Sequence, residues 1–468
     1  NEIKPAVPTR QALEYKRKDF CADLAEMEFR RLTYCGGPEY ISGGYLFKHG
    51  REEPKDYQLR LQRAYFQNFC APAINLYSGF IMGQPIKREN KFTDKETYEA
   101  FLKDSTGNGT SLENFIADIV RWSGAQGKAL VLVDRTPGDA ATKKEERESG
   151  IKTYLQRVPW ENLVDWECDC DGNYMWVKIK ECARGMRAWN AKEEKKTRYR
   201  IYTKDEWSVY EITEGKKDSA VFVEGGPNKI GVVPLFDVCW PGGSLIKDAA
   251  RVNRSIFNLC SLLDESVYRQ VFPQFCYPGD LPQEFKLGTA TCLTFEPSGP
   301  PPLYISPSSE PNQFIWDMIT GLSEVIKKML LYKAETDGLK AESGIAKAYE
   351  FSQLNNVLVE ASKIFGMAEE KILRLYALWE GESEDGIKSQ YPQTFDVSMI
   401  ASELDDIIKT QTIQMGKKFD RYVKKKLARS VVDPRDTKER EEIEKEIDDG
   451  GAEPGPLPPV YNRGGFGR

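Results

Sequence analysis

The feature that most constrains this chain is a proline- and glycine-dense stretch, residues 274–311, set between two long runs whose apolar side chains recur at helical spacing. Ile246, Ala249, Asn253, Ile256, Phe257, Cys260, Leu263 and Val267 mark one face upstream. Phe314, Ile315, Met318, Ile319, Leu322, Val325, Ile326, Met329 and Leu330 mark another downstream. Steps of three and four residues stack side chains on one helix face, and Phe272-Pro273 ends the first run because proline cannot continue a helix. One long helix therefore enters a compact insertion and another leaves it. Residues 290–295 and 303–305 are strand-like, so the insertion is expected to be β-rich.

Upstream, residues 11–32 are charged and helix-prone, and Tyr34-Cys35-Gly36-Gly37-Pro38 stops them. Between 54 and 83, Tyr57, Leu61, Ala64, Tyr65, Phe69, Ile74, Tyr77, Ile81 and Met82 keep helical spacing, which predicts one element ended by Gly83-Gln84-Pro85. Thr110-Ser111-Leu112-Glu113 has the form of a capping box, and it opens a helix with Leu112, Phe115, Ile116, Ile119 and Val120 on one face. Residues 128–134 enclose a continuous apolar run, as in a buried strand, closed by Arg135-Thr136-Pro137-Gly138. Residues 140–150 are expected to be a charged, mobile loop. Strands then alternate with turns from 153 to 238, including 174–180, 198–202 and 207–212, an α+β region with antiparallel hairpins.

Beyond the second long run, 334–344 is polar and glycine-punctuated, and 349–379 forms a further long helix with an almost continuous apolar seam. Residues 389–397 are expected to return one strand to the middle domain, and 400–432 and 436–447 to be charged helices. The Gly- and Pro-rich run 450–468 has too little apolar surface for a core and is expected to be an extended tail.

Composition narrows the function. With 468 residues, 40% of them hydrophobic, the chain can fill more than one core, so two or three domains are expected. The 66 Lys+Arg against 72 Asp+Glu, a formal charge of -6, are not the balance of a basic nucleic-acid-binding domain, so any DNA contact is local or loose. Ten scattered cysteines, with no charged n-region or apolar signal core at the start, imply reduced thiols and a soluble, intracellular protein at synthesis. No apolar run approaches the roughly 20 residues of a membrane-spanning helix, so no membrane partner is expected. The single histidine, His49, lies in a polar turn without a nearby nucleophile, which removes triads and His-rich zinc sites.

The remaining motifs favour plain structure. Gly124-Ala125-Gln126-Gly127-Lys128-Ala129 invites a phosphate loop, but Trp122 and Ala129 stand where such a loop needs a glycine and a hydroxyl residue. A helix-to-strand turn is the better account. Glu167-Cys168-Asp169-Cys170-Asp171-Gly172 resembles half a calcium loop, yet Lys178 replaces its closing glutamate, and the CxC pair lacks a second pair for zinc. A hairpin turn is expected there. Asp405-Asp406 and Asp448-Asp449 lie in charged, surface-like sequence without buried strand ends to hold two metals. Lys417, Lys418, Arg421 and Lys424 to Lys426, with Phe419 and Tyr422 between them, suggest salt-bridged helices first and DNA contact second.

Several strings, in order, resemble the portal proteins of tailed bacteriophages, the head-tail connector family. Arg63-Ala64-Tyr65 with Asn68 and Phe69, leading to Gly83-Gln84-Pro85, resembles their early helix. Gly109 to Phe115 followed by Ala129-Leu130-Val131-Leu132-Val133-Asp134 resembles their helix-then-strand passage, and Tyr154 with Val158 to Trp166 resembles the return to the sheet. The resemblance in order covers most of the chain. It implies an α+β wing at 1–242, a first stem helix at 243–272, a clip at 273–311 and a second stem helix at 312–332. A tunnel loop at 333–345, a long wing helix with return strand at 346–399, crown helices at 400–449 and the tail at 450–468 complete the portal-like fold. The clip departs from the family pattern in being short and very rich in proline.

The resemblance further implies a virion protein at one capsid vertex, assembled in the host cytoplasm as a ring of about twelve copies. Double-stranded DNA passes through the ring during packaging and ejection, with terminase, the neck/tail adaptor, the major capsid protein and the scaffolding protein as partners. No catalysis, cofactor or metal is expected. The stem helices would pack through Ile246, Ala249, Ile256, Leu263, Ile315, Leu322 and Ile326. The DNA-facing loop would present Lys333, Asp337, Gly338, Lys340, Ser343 and Gly344, its lysines touching phosphate transiently while its glycines let it adapt. A metal- or ATP-dependent nucleic-acid enzyme is the alternative from another class, opposed by the absent phosphate loop and lone histidine. Another virion structural protein is the third, opposed by the paired long helices around the insertion.

Overall fold

A computed structural model of the protein describes residues 8–138, 142–184, 195–213, 220–271, 274–276, 301, 303–305, 308–331, 344–393, 395, 442, 443, 445 and 447. The architecture is α+β, and it is organised about the strand Lys128–Arg135. That strand is central in a three-stranded antiparallel sheet, flanked by Thr153–Val158 and Leu235–Cys239. Its apolar run is unbroken because both faces are covered. Ala129, Val131 and Val133 join a core with Tyr77, Ile119, Phe236 and Trp240, to which the 37-residue helix Gly344–Glu380 adds Leu358, Phe365, Leu373 and Tyr376. Leu130 and Leu132 join a second core with Trp160, Leu163, Val177 and Tyr202. Side chains of this size contribute about 1.5–3 kcal/mol each when fully buried, so the alternation along one strand fixes which layer covers which face.

The second core is closed by a five-stranded antiparallel meander: Leu163–Cys168, Tyr174–Arg184, Lys195–Thr203, Glu206–Thr213 and Ala220–Pro227. The Cys168 to Gly172 segment is its first hairpin turn, where Asp169 accepts from the backbone N–H groups of Asp171 and Asn173. The Gly124 to Ala129 segment is the turn from helix Leu112–Gln126 into the central strand. Gly127 adopts φ +94°, and a Cβ there would stand 2.8 Å from the Ser244 nitrogen, so the tight turn and the approach of 243–244 both require glycine.

Several elements differ from the sequence expectations. The run 54–83 divides into helices Pro54–Arg63 and Cys70–Met82. Buried Asn253, which shares the apolar face of the first long run, accepts from Phe69 N–H at 3.0 Å and donates to Gln67 at 2.8 Å, and Asn68 caps Cys70 and Ala71. The break is imposed from a distant helix, although Ala64 and Tyr65 keep the local period. Residues 11–32 likewise form two helices, Arg10–Glu14 and Lys18–Cys35. Ser111, one residue after Thr110, is the cap of helix Leu112–Gln126. Within 140–150 lies a helix, Lys143–Glu148, capped by Thr142. The returning strand is only Lys388–Gln390, and it pairs with Lys87–Glu89 instead of the middle sheets. Gly344 and Ile345, expected in a loop, open the long helix, because the following Ala346 and Ala348 favour helix and a terminal glycine costs only about 1 kcal/mol.

Strand-like 290–295, the helices expected across 400–449 apart from four isolated positions, and the tail 450–468 lie outside the described residues, as do Asp405, Asp406, Asp448, Asp449 and the basic cluster from Lys417 to Lys426. No helix among the described residues is long and apolar enough to cross a membrane.

Candidate assembly surface on the long helix pair

The two long helices are Ala249–Val271 and Glu310–Met329. The first begins after a turn at 240–248, in which Leu245 N–H donates to Gly124 and Ser244 Oγ donates to Ala125. They run antiparallel. Ser266 Oγ, near the end of the first, donates to Asn312 Oδ1 near the start of the second at 2.6 Å, and Gln270 donates to the Ser308 carbonyl at 3.1 Å. Beyond them stands a short antiparallel hairpin, Gln274–Cys276 with Leu303–Ile305, in which Phe275 faces Tyr304. The strand at 303–305 coincides with its sequence expectation, whereas the one at 274–276 carried no signal between Pro273 and the following glycines.

All seven residues expected to pack the helices lie in one apolar cluster. Ile246, Ala249, Ile256 and Ile326 are buried, and Leu263, Ile315 and Leu322 are half-buried. The cluster also takes in Cys70, Ile74 and Ala125, so the seam continues into the body of the protein.

The pair is gripped where the first helix leaves the body. Arg60, 2% exposed, spans both oxygens of Glu52 at 2.8 Å each, donates to the Phe47 carbonyl at 2.7 Å and reaches Ser261 Oγ at 3.2 Å. It also stands 3.9 Å from Glu265. The Arg60 hydrogen bonds hold the Glu52 carboxyl down at about 2. Asn258 fastens the same loop by accepting from Phe47 N–H and donating to the Tyr45 carbonyl. His49 Nε2 lies 4.0 Å from Glu265, and His49, Glu52 and Glu265 form the one group among the described residues with three ligand-type atoms within 4.8 Å of one another. Both Glu52 oxygens are engaged by the Arg60 guanidinium, and Arg269 takes the other Glu265 oxygen at 2.6 Å. The acids are already matched by organic cations, and the group acts as a collar on the helix. Arg60 and Glu265 gave no sequence signal, being 205 positions apart; Asn253, a polar residue on an apolar face, did.

One face of the pair is uncovered, and on the second helix it runs the whole length. On the second helix Phe314, 69% exposed, Met318, Val325 and Met329 follow one another at steps of four, seven and four, a single stripe. Gly321 lies within that stripe with nothing within 4 Å of the position a Cβ would take. Trp316, Val267, Tyr268 and Val271, the last 65% exposed, and the hairpin residues Leu303, Tyr304 and Ile305 are exposed as well. Exposed apolar side chains grouped in this way on two helices and a strand are characteristic of contact sites. Among the described residues the pair carries no arrangement of nucleophile and base.

Lys333, Asp337, Gly338, Lys340 and Ser343 lie outside the described residues, and Gly344 is the first residue of the long helix.

No family model matches the sequence, and no curated protein matches it. Among solved structures, the chain is similar to one from the neck of an empty gene transfer agent particle computed with C6 symmetry, at 8% identity over 83% of this chain and 98% of that one, TM-score 0.43. A chain from the virion of the native particle aligns at 8% identity over 85% and 98%, TM-score 0.41. A chain from the neck of the native particle computed with C12 symmetry aligns at 8% identity over 88% and 92%, TM-score 0.39.

Proposed function

We propose that this chain is a phage portal subunit, one copy of a ring at a capsid vertex through which DNA is packaged and ejected. The observation that carries this is the antiparallel helix pair, sealed to the body on one side and bearing the Phe314, Met318, Val325 and Met329 stripe on another, with an exposed apolar hairpin at its far end. Among the described residues nothing covers that stripe, and cyclic repetition supplies a covering face from each neighbour without leaving an end. The ordered resemblance of the sequence to portal proteins supports the same assignment.

In this reading the helix pair is the stem and the hairpin belongs to the clip, which docks terminase first and the neck adaptor later. The sheets and the helix Gly344–Glu380 form the wing, and 400–449 the crown. Lys333 and Lys340 approach passing DNA and make weak, salt-screened phosphate contacts, as a channel that must let the duplex slide requires. Capsid and scaffolding proteins hold the ring at its vertex, and the motor's ATP hydrolysis lies in a separate terminase subunit. The chain itself turns over no substrate. Negative-stain images of the purified protein test this: rings of about twelve copies around a central hole are expected. Uniform particles of monomer size would overturn it.

A further inference from the structure

Helix Lys143–Glu148 lies beside a cavity of about 310 Å³, lined by Ala100, Phe101, Ile151, Thr153, Tyr376 and Glu380 among others. The walls belong to helix Lys95–Lys103 and to the C-terminal end of helix Gly344–Glu380. The segment 142–150, Thr-Lys-Lys-Glu-Glu-Arg-Glu-Ser-Gly, contains no apolar side chain to anchor it in the core.

What attaches it is charge. Arg147 spans both Asp94 oxygens at 3.0 Å and reaches Glu96 at 2.7 Å and Thr97 Oγ1 at 2.7 Å. Lys143 stands 3.7 Å from both Asp94 and Glu382, and Glu146 meets Arg135 at 2.7 Å. Lys152, just after the segment, meets Asp104 at 3.0 Å. The acids that receive these cations are fixed by other bonds. Asp94 caps Lys95–Lys103 through the Thr97 N–H, and Glu382 accepts from the backbone N–H groups of Thr93 and Asp94. They stay in place whether or not the segment is seated. The cationic ends of the latch, Lys143 and Arg147, are open to solvent, where ion pairs are weak singly and are screened by salt, whereas the apolar cores beneath are not.

We propose that Lys143–Glu148 is a salt-sensitive strap, latched over the cavity at low ionic strength and released at high ionic strength while the body stays folded. Release opens the cavity floor at Phe101 and Tyr376 and uncouples helix Lys95–Lys103 from the strap's cations. The proposal is independent of the ring assignment.

Hydrogen exchange of the full chain, read by mass spectrometry at about 50 mM and about 1 M sodium chloride, tests it. The reporters are the amides of Glu146, Ser149, Gly150 and Ile151, which donate to Thr142, Glu145, Arg147 and Glu146 in turn. Their exchange is expected to rise about tenfold with salt while strand Lys128–Arg135 stays protected, and in Arg147→Gln it is expected to be fast already at low salt. Reporter exchange that is the same at both salt concentrations, or still slow at low salt in Arg147→Gln, overturns the strap. So does acceleration of strand and strap together, since the segment then opens only with the whole body.

Discussion

The two halves of the long helix pair share one amphipathic pattern and opposite surroundings. Near the body, Ile256, Phe257 and Ile326 are buried, and Arg60 and Asn253 fasten the first helix to residues from the N-terminal part of the chain. Away from it, Val267, Val271, Phe314 and Met318 carry the same kind of side chain into solvent. Helical periodicity reports that a face is apolar; it does not report what covers it. The difference separates side chains that the fold itself covers from side chains that it leaves to solvent.

The largest effect expected is on the body side. Phe257→Ala removes a ring buried against Tyr40 and Phe66 and should lower the unfolding free energy by about 3–5 kcal/mol in urea titrations. Arg60→Ala should cost about as much, roughly 3–5 kcal/mol, because it leaves the Glu52 carboxylate buried without its counter-ion. Adding Glu52→Gln should recover part of the loss, and a double variant as unstable as the sum of the singles would show that the two do not act as a pair.

A pH series sharpens the same half. Arg60 depresses the folded Glu52 carboxyl from 4.5 to about 2. The stability it contributes is complete above the ordinary carboxyl value and is lost as pH falls from there through about 2. Thermal melts across that window should therefore fall more steeply for the wild type than for Glu52→Gln. Parallel curves would remove the ion pair from the account. The smallest effect belongs to the distal half: Phe314→Ser should change the unfolding free energy of the single chain by no more than about 0.5 kcal/mol. A loss of several kcal/mol would mean that Phe314 is covered within its own chain.

What the sequence made legible follows the range over which each structure is determined. The strand Lys128–Arg135, the helix from Leu112 and the pair around the Pro/Gly-rich insertion are written in local period and caps, and they stand where the period puts them. The break between Arg63 and Cys70 was illegible because Asn253 imposes it from a helix 184 positions away. The collar was hidden for the same reason, since Arg60 meets Glu265 only after folding. Helix Lys143–Glu148 was hidden because six charged residues have no apolar period to betray them. The seven seam residues were legible as a face; which neighbouring apolar residues remain uncovered, Phe314 and Val325 among them, depends on packing that no periodicity encodes.

Native mass spectrometry of the full chain beside the variant Phe314→Ser, Met318→Ser, Val325→Ser and Met329→Ser decides whether this stripe joins neighbouring subunits. The wild type is expected as one closed oligomer of about twelve copies, and the variant as a monomer with an unchanged circular dichroism spectrum. A monomeric wild type, or a variant that assembles as fully as the wild type, would contradict the assignment of this stripe to the contact between neighbours in a ring.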